Sequence, residues 1–513
     1  MPGGPISATP PRLAPVGLGF IAVMIAAGVI YSWSLDQLYL VHDEVVYAIN
    51  AHAIATTLRD INGQFLPVSI HVTGGFFATP VNIYLTALFL KVLPLTEVTT
   101  RLPSVVIGLA NIILLHAVAR RVFTRVLPAV AAAGLFALTP AHFLHSRLGT
   151  DHEYAVTAVL AWTVCLIGRD TLSVHRLLLA GAILGAGVYT YLGALIIMPA
   201  CVVITWLVLW RQGVRSWQPF VAVAGGFALV LVPLVAWHLL HPAQYLNQMR
   251  MYSLGDTPAA GAIRFTDRVS AYWAYFNPSF LFFAGDTSLI NGTRYAGVFL
   301  LPVIVLLPIG LARLMSYGVT TATLVTLSLL ASPLAAAVVG ERYRINRALM
   351  LLPLVSLVAA MGMDALWAGG RRHSRVLALL LMIAIPLQFA GFYRDYFGDY
   401  RVRSARWLEY NIGGSLEEII RHQPSPPVPV YIADNIQWAP YYWQFYQAKH
   451  KRDDLARVTT YADPRTLAAG DLPAGSLLLC RILDEPALIA AGLTRVAAIP
   501  EPDGVPWFSV LRK

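Results

Sequence analysis

The sequence is poor in charged residues. Aspartate, glutamate, lysine and arginine together make up 12% of its 513 residues, whereas a soluble globular protein carries about 25%. Hydrophobic residues make up 57%, and the mean hydropathy is +0.63. A single soluble core cannot bury so much apolar sequence, because soluble chains of this length divide into domains with polar surfaces. The composition therefore excludes an ordinary soluble protein and indicates a membrane protein.

Cysteine is also scarce. Cys165, Cys201 and Cys480 form no Cys-x-x-Cys or Cys/His pattern, so the sequence predicts neither a disulfide framework nor a structural zinc site. The net charge is +10, but the basic residues stand in short gaps between apolar runs. They form no tail and no basic amphipathic helix, and the sequence therefore predicts no nucleic-acid partner.

Long apolar runs dominate the chain. A helix needs about 20 apolar residues to cross a bilayer. Candidate spans are 13–36, 102–120, 126–145, 153–168, 176–191, 193–210, 217–239, 296–313, 319–339, 347–367 and 375–393. The sequence predicts a mainly α, polytopic membrane protein of about eleven transmembrane helices, whose transmembrane domain covers 13–393.

The gaps between these runs predict the orientation. One set is short and rich in arginine, comprising Arg120, Arg121, Arg125, Arg169, Arg176, Arg211, Arg215, Arg313, Arg371, Arg372 and Arg375. The positive-inside rule places this set in the cytoplasm. Residues 1–12 then form a disordered cytoplasmic tail, and the long gaps 37–101 and 240–295 lie outside. The excess of arginine, alanine and leucine is typical of a GC-rich bacterial genome, so the predicted location is a bacterial inner membrane.

The outer segments contain structure of their own. Residues 43–59 alternate apolar and polar faces at helical spacing, which predicts an amphipathic interfacial helix. Residues 80–93 predict a second, short helix on the same side. Residues 394–513 predict a small periplasmic α/β domain, with strands at VPVYIADN, SLLLCRI and WFSVLR and a helix at WAPYYWQFYQ.

An acidic motif, His42-Asp43-Glu44, follows the first span. Carboxylates near the hydrocarbon boundary are costly to keep, and this makes them functional candidates. One of the two could act as a general base on an acceptor hydroxyl. The alternative is a solvated loop, or acids favourably placed at a helix N-terminus.

A second acidic motif, RLGTDHEYAV, lies at another outer helix end and contains Arg147, Asp151, His152 and Glu153. It could form a second acidic wall of one site, for the acceptor. Equally, Asp151 could cap the helix that follows. With His42, Asp43 and Glu44 nearby, a divalent metal is a further alternative, although no ligand spacing demands one and no cofactor is certain.

Arginine also stands at outer helix ends. Arg101 opens a span, and Arg342, Arg344 and Arg347 precede another. Arginine binds phosphate in bidentate fashion, so these residues fit a phosphorylated lipid headgroup; anchoring to bilayer lipids is the alternative. The outer loop that ends at Asp286 and the aromatic run 438–446 favour structural packing, although aromatic faces also suit sugar stacking.

The order of these features resembles a family. An Asp-Glu pair follows the first helix, RLPS opens a span, RRVFTR fills an inner loop, and SRLGTD brings a second outer acid. NPSFLFFAGD, RINRALMLLP and an outer C-terminal domain come later. Over about 1–400, this order is similar to the GT-C superfamily of membrane glycosyltransferases, and within it to bacterial relatives of the protein O-mannosyltransferases and lipid A aminoarabinose transferases.

The resemblance implies an inverting transfer from a polyprenyl-phosphate-linked sugar. By position, Asp43 would deprotonate or orient the acceptor, with Glu44 beside it. Arg101, and one of Arg342, Arg344 and Arg347, would contact the donor phosphate. The sequence departs from the family in the second interfacial helix, where the relatives usually carry a Lys-Pro or His-Pro-Pro element. Here the stretch reads Ala78-Thr79-Pro80-Val81-Asn82, and the basic or His side chain is missing.

The sequence thus predicts an inner-membrane glycosyltransferase that uses a polyprenyl-phosphate sugar, with the lipid bilayer and an unidentified acceptor as partners. A multi-pass transporter or flippase for a lipid-linked substrate is the alternative from another class. A transporter should place charges near mid-membrane and show paired broken helices. A scaffold subunit with a degenerate site is a third alternative.

Overall fold

The computed structural model describes residues 17–168, 172–251, 264–470 and 472–513. The tail predicted at 1–12 lies outside these residues. The first α-helices are α1 (Leu18–Ser32), α2 (His42–Thr57), α3 (Pro80–Leu90), α4 (Glu97–Val122), α5 (Val126–Ala137), α6 (Pro140–His145), α7 (Tyr154–Leu166), α8 (Val174–Gly187), α9 (Ala194–Arg211), α10 (Gln218–Leu240), α11 (Pro242–Met251) and α12 (Phe265–Ala274). The later ones are α13 (Pro302–Arg313), α14 (Val319–Ala331), α15 (Leu334–Val339), α16 (Leu351–Ala368), α17 (Arg372–Phe397), α18 (Asp399–Ser404), α19 (Ile412–Arg421), α20 (Ala439–His450), α21 (Pro464–Ala469) and α22 (Glu485–Ala490).

Each apolar run predicted to cross the membrane overlaps at least one of these helices. Within the described residues, six stretches are long and apolar enough to span a bilayer: Glu97–Val122, Ala194–Arg211, Gln218–Leu240, Val319–Val339, Leu351–Ala368 and Arg372–Phe397. The helices in the other predicted runs, such as α1 and α7, are apolar but shorter. The prediction of a mainly helical, multi-pass membrane protein is confirmed.

Small residues let some of these helices approach closely. A Cβ atom at Gly181 of α8 would collide with the Val223 carbonyl of α10, and one at Gly226 with the Leu178 carbonyl. Packing of backbones across small residues is typical of helix pairs in membranes, where lipid removes the hydrophobic drive for association. Glycine at these two positions therefore fixes the α8–α10 contact, which borders the cavity described below.

The first outer loop folds against the rest of the molecule. Its short strands β1 (Ile70–His71) and β2 (Phe77–Ala78) pair antiparallel. Helix α2 packs on α3 through one side and on α20 through another. Two residues predicted on its water-facing side, Glu44 and Asn50, are fully buried. Helix α2 therefore lies between protein surfaces, with these polar residues bonded inside the protein, and its place at the membrane interface stays a prediction.

The C-terminal segment forms an α/β domain. Its strands are β3 (Val430–Ala433), β4 (Thr459–Ala462), β5 (Leu477–Arg481), β6 (Thr494–Pro500) and β7 (Pro506–Arg512), in the sheet order β4-β3-β5-β7-β6. Strand β3 runs parallel to β4 and β5, while β7 runs antiparallel to β5 and β6. The predicted strands and the helix α20 are confirmed. Helix α17 runs to Phe397, beyond the predicted end of the transmembrane domain at 393.

Candidate active site

Glu44 and Arg101 form a fully buried ion pair. Arg101 Nε and Nη2 donate to the two Glu44 oxygens, each over 2.7 Å. The other N–H groups of Arg101 donate to the carbonyls of Leu35, Leu38 and Tyr39. A guanidinium has five N–H donors, so all of them are used inside the protein. The predicted phosphate contact at Arg101 is therefore corrected: this residue joins the start of the first outer segment to α4.

Glu44 also holds the second acidic motif. Its Oε1 accepts from the Gly149 amide over 2.7 Å, and its Oε2 from the Val41 amide over 2.9 Å. The Gly149 carbonyl accepts from Asn82 of α3 over 3.1 Å. Glu44, predicted to be catalytic, is thus enclosed and fully engaged. It ties α2 to the loop that carries Asp151.

Asp43 and Asp151 face the same region from these two elements. Asp43 lies in the first turn of α2 and is exposed, while Asp151 is buried and accepts from the Thr79 hydroxyl over 3.0 Å. Surrounding protein raises the pKa of Asp43, and the charge of Glu44 raises it further, against the opposing effect of Arg347. Burial raises the pKa of Asp151 to about 7; the Thr79 bond and Arg347 oppose this effect, and the Asp43 charge reinforces it.

Arg347 is the basic residue of this region. Its Nε donates to Glu341 over 2.8 Å and its Nη1 to the Tyr191 hydroxyl over 3.1 Å. Its guanidinium acts electrostatically on both aspartates. The geometry brings together Asp43, Asp151 and Arg347, three residues that come from distant parts of the sequence.

Residues of the outer loop that ends at Asp286 hold the turn that carries Arg347. Asp286 is buried and accepts from the Ile345 amide over 2.6 Å, and the Tyr275 hydroxyl donates to the Arg344 carbonyl over 3.0 Å. Burial raises the pKa of Asp286 to about 6. The structural role predicted for this loop is therefore confirmed, since it fixes the backbone beside Arg347.

A mainly apolar cavity of about 360 Å³ adjoins these residues. Its apolar wall includes Val188, Leu195, Leu234 and Val338 from the region of α8, α9, α10 and α15. Thr79 and Arg347 line it as well. Because Thr79 bonds to Asp151, the apolar space lies beside the Asp151 carboxylate and the Arg347 guanidinium. An amphiphile with an apolar chain and an anionic head fits such a space.

Other predicted site residues lie elsewhere or make internal contacts. His42 stacks on Trp438 at 3.9 Å between ring centroids, and burial lowers its pKa to about 4. Glu153 is buried, pairs with His142 and accepts from Ser146, so the predicted place in an acidic wall is corrected. The His152 ring bonds to Thr150 and Asn346.

The predicted arginines of the 342–347 turn lie in different surroundings. Arg342 is exposed and lies 3.7 Å from an Asp267 oxygen, on the outer side of the turn. It does not line the cavity, and its predicted phosphate contact stays a prediction. Arg344 is half-buried in the same turn as Arg347. Arg347 alone of the predicted arginines lines the cavity.

The donor set fits a metal poorly. Among the described residues, no three His, Cys, Asp or Glu side chains form a group that could hold a metal ion. Asp43 and Asp151 supply two carboxylates, and the His152 imidazole nitrogens contact Thr150 and Asn346 instead. A divalent ion would need ligands from the substrate or water in addition.

Sequence reasoning missed three contributors to this region: Thr79, Tyr191 and Glu341. Thr79 was noted only as the residue that replaces a basic family element, yet it bonds to Asp151. Glu341 lies next to the arginine cluster, and a carboxylate so close in sequence was a signal for an ion pair. Tyr191 gave no signal, because an isolated tyrosine between two apolar runs is common at membrane interfaces.

Comparison with protein families gives a match over residues 78–237, to the dolichyl-phosphate-mannose-protein mannosyltransferase family. This segment covers less than a third of the chain and contains Thr79, Arg101 and Asp151. No curated protein matches the sequence significantly.

Solved structures with a similar fold cover nearly the whole chain. ArnT from Cupriavidus metallidurans bound to undecaprenyl phosphate has a TM-score of 0.56 at 16% identity, over 97% of this chain and 98% of that one. Its apo state has a TM-score of 0.59 at 15% identity, over 96% and 97%. The apo oligosaccharyltransferase of Archaeoglobus fulgidus has a TM-score of 0.51 at 14% identity, over 88% of this chain and 65% of that one. The predicted resemblance to the GT-C superfamily is confirmed, and the chain has this fold.

Proposed function

We propose that this protein, which has the GT-C fold, is an inverting membrane glycosyltransferase that uses a polyprenyl-phosphate-linked sugar. One observation carries the proposal: Asp43, Asp151 and Arg347 interact electrostatically, and Arg347 lines an apolar cavity together with Thr79, which bonds to Asp151. A base, a second acid and a cation beside an apolar space that can take part of a lipid chain are the parts that such a transfer needs.

The apolar cavity accounts for the donor lipid. Part of an isoprenoid chain would lie against Val188, Leu234 and Val338, and its phosphate would lie at the border near Arg347. Burial of each methylene group contributes about 0.8 kcal/mol, so the chain supplies much of the binding. The undecaprenyl phosphate bound to ArnT, which has a similar fold, supports this class of donor.

Asp43 and Arg347 have different roles in the proposed reaction. An acceptor hydroxyl attacks the anomeric carbon on the face opposite the phosphate, and the bond from this carbon to the phosphate oxygen breaks. Asp43 takes the hydroxyl proton, and the electron pair of the broken bond stays on polyprenyl phosphate. Arg347 stabilises the charge that develops there, because a fixed positive group beside a developing negative charge lowers the energy of the transition state. The raised pKa of Asp43 makes it a better base than a solvated aspartate.

The proposed site faces the periplasm of a bacterium. The arginine-rich gaps that follow α4, α9 and α13 are short, which favours the cytoplasm for them. The first outer loop and the C-terminal domain then lie on the opposite face, with the N-terminus inside. A flipped lipid-linked sugar would meet Asp43 from the outer leaflet.

The test is sugar transfer by purified protein in nanodiscs. Wild type, Asp43→Asn and the matched control Asp36→Asn would receive defined polyprenyl-phosphate hexoses and pentoses together with a bacterial membrane extract as the source of acceptor hydroxyls, with release of polyprenyl phosphate as the readout. Asp36 is an exposed aspartate between α1 and α2, on the same side of the molecule. We expect Asp43→Asn to lower turnover by about 100-fold or more, the usual contribution of a general base, and Asp36→Asn to keep it.

Equal turnover by wild type and Asp43→Asn would overturn the catalytic assignment. Movement of a lipid-linked sugar across proteoliposomes without any release of polyprenyl phosphate would instead favour the transporter.

A further inference from the structure

We propose that the C-terminal α/β domain is a positioning clamp for the catalytic aspartate, acting through Trp438 and Tyr442 of the α20 region on the start of α2. The inference rests on the proposed function of Asp43, and it adds a role for a domain that the chemistry above does not use.

A shared hydrophobic core joins α2 to this domain. Val45, Ala48 and Ile49 of α2 are buried in one cluster with Tyr442 and residues of the β-sheet. The opposite side of α2 belongs to another cluster, with α3. Helix α2 therefore cannot rotate or tilt without breaking the contact with α20, since interiors are close-packed.

Two contacts act directly beside Asp43. The His42 ring stacks on Trp438 at 3.9 Å with an angle of 14° between the ring planes. The buried Tyr442 hydroxyl donates to the Leu40 carbonyl over 2.7 Å. These contacts hold residues just before Asp43, at the point where the chain enters the helix.

Trp438 reaches His42 through an unusual backbone conformation. Its φ is +61°, in the left-handed region that residues with a Cβ rarely adopt. Such a conformation persists where surrounding contacts over-determine it. The stack on His42 is one of these contacts, together with the first turn of α20.

A second set of contacts holds α4, the helix that carries Arg101. Lys449 of α20 donates to both Glu97 oxygens over 2.8 Å, and the Tyr446 hydroxyl donates to Glu97 over 3.0 Å. Arg101 in turn binds Glu44, next to Asp43. The domain thus contacts both elements between which the Glu44–Arg101 pair lies, and the orientation of Asp43 depends on both.

The experiment compares Trp438→Ala, Trp438→Phe and the matched control Trp507→Ala in full-length protein. Trp507 lies in the same domain but stacks on Tyr410, at 4.0 Å between centroids. The readouts are kcat, the Kd for polyprenyl phosphate, the pH profile, Tm and hydrogen exchange of residues 42–57. Exchange of α2 reports the clamp even in the absence of turnover.

We expect Trp438→Ala to speed exchange in α2 and to lower kcat about 10- to 100-fold, the usual cost of a misplacement near 1 Å. The Kd should change less than about twofold, because the donor contacts stay in place. The acidic limb of the pH profile should move to lower pH, since a displaced Asp43 raises the pKa of Asp151 less. Trp438→Phe should restore kcat, and Trp507→Ala should lower Tm without these effects.

An unchanged kcat and unchanged α2 exchange in Trp438→Ala would overturn the clamp, as would an equal loss of kcat in Trp507→Ala. Failure of the proposed function looks different: wild type would release no polyprenyl phosphate from any donor, while faster exchange of α2 in Trp438→Ala would still establish the contact.

Discussion

At the scale of residues, the site depends on two carboxylates held near one guanidinium. The Asp43 charge raises the pKa of Asp151, and Arg347 lowers the pKa values of both. Each of two close carboxylates disfavours the charge of the other, so ionisation of one raises the pKa of its neighbour. Their titration is therefore a property of the pair.

This coupling predicts the pH dependence of transfer. Burial raises the pKa of Asp151 to about 7. Asp151 therefore gains a proton as the pH falls through this value, and the loss of its charge makes Asp43 a weaker base. We expect kcat/KM to fall as the pH drops through about 7. In Asp151→Asn, the rate should be lower and the acidic limb should lie at lower pH, because Asp43 then titrates without a second carboxylate.

The measurement is a pH–rate profile from about 5 to 9 for wild type, Asp151→Asn and Asp36→Asn. Asp36→Asn should show its acidic limb at the same pH as wild type. A wild-type profile that stays flat down to pH 5.5 would contradict the coupling.

Arg101 shows where residue-level prediction stops. Its position at the start of a span and its side-chain chemistry were compatible both with a phosphate contact and with an internal ion pair. The choice depended on five acceptors, of which Leu35, Leu38 and Tyr39 supply carbonyls. Backbone carbonyls carry no signal in sequence, so only the fold could assign these donors.

At the scale of elements, the loop between α6 and α7 determines where Asp151 lies. A Cβ at Gly149 would lie 2.9 Å from the Thr100 carbonyl and 3.3 Å from Glu44 Oε1. Both neighbours are buried, and Glu44 is held by Arg101. The loop has no room to accept a side chain at this position.

Gly149→Ala is therefore expected to displace the loop and its Asp151. We expect kcat to fall about tenfold or more, while binding of polyprenyl phosphate at Arg347 is kept. The matched control is Gly225→Ala in α10, where an added Cβ meets nothing within 4 Å. Alanine in a helix is more favourable than glycine by about 0.5–1 kcal/mol, so the control should retain kcat and Tm. Turnover of Gly149→Ala equal to wild type would show that Asp151 needs no fixed loop.

The sequence predicted some helices correctly and missed two strands, and both outcomes have physical reasons. Apolar runs identified α4, α9 and α10, because lipid requires continuous hydrophobicity. Strands β4 and β6 were missed, since these edge strands carry partly exposed residues with little alternation. Helix α2 was found, but its environment was not: a helix buried on two sides by protein has a pattern similar to one at a membrane surface.

At the scale of the whole molecule, the orientation in the membrane can be measured with cysteine labelling. The native cysteines are all buried, so wild type should react little with a membrane-impermeant maleimide. Thr460 of β4 and Ser216 between α9 and α10 are exposed. We expect Thr460→Cys to be labelled from the periplasm of intact cells, and Ser216→Cys only after lysis. The reverse pattern would overturn the proposed orientation.

The hydrogen bond between Tyr442 and Leu40 joins residues 402 positions apart. At about 5–20 residues per second, the first outer loop would wait about 20–80 seconds for its partner during synthesis. Until then, Val45 and Ile49 of α2 lack their packing partners in the C-terminal domain, and the orientation of the Asp43 side chain is not fixed. An interrupted chain would therefore be inert toward lipid-linked sugar and visible to proteases. Completion of translation would be the event that starts catalysis.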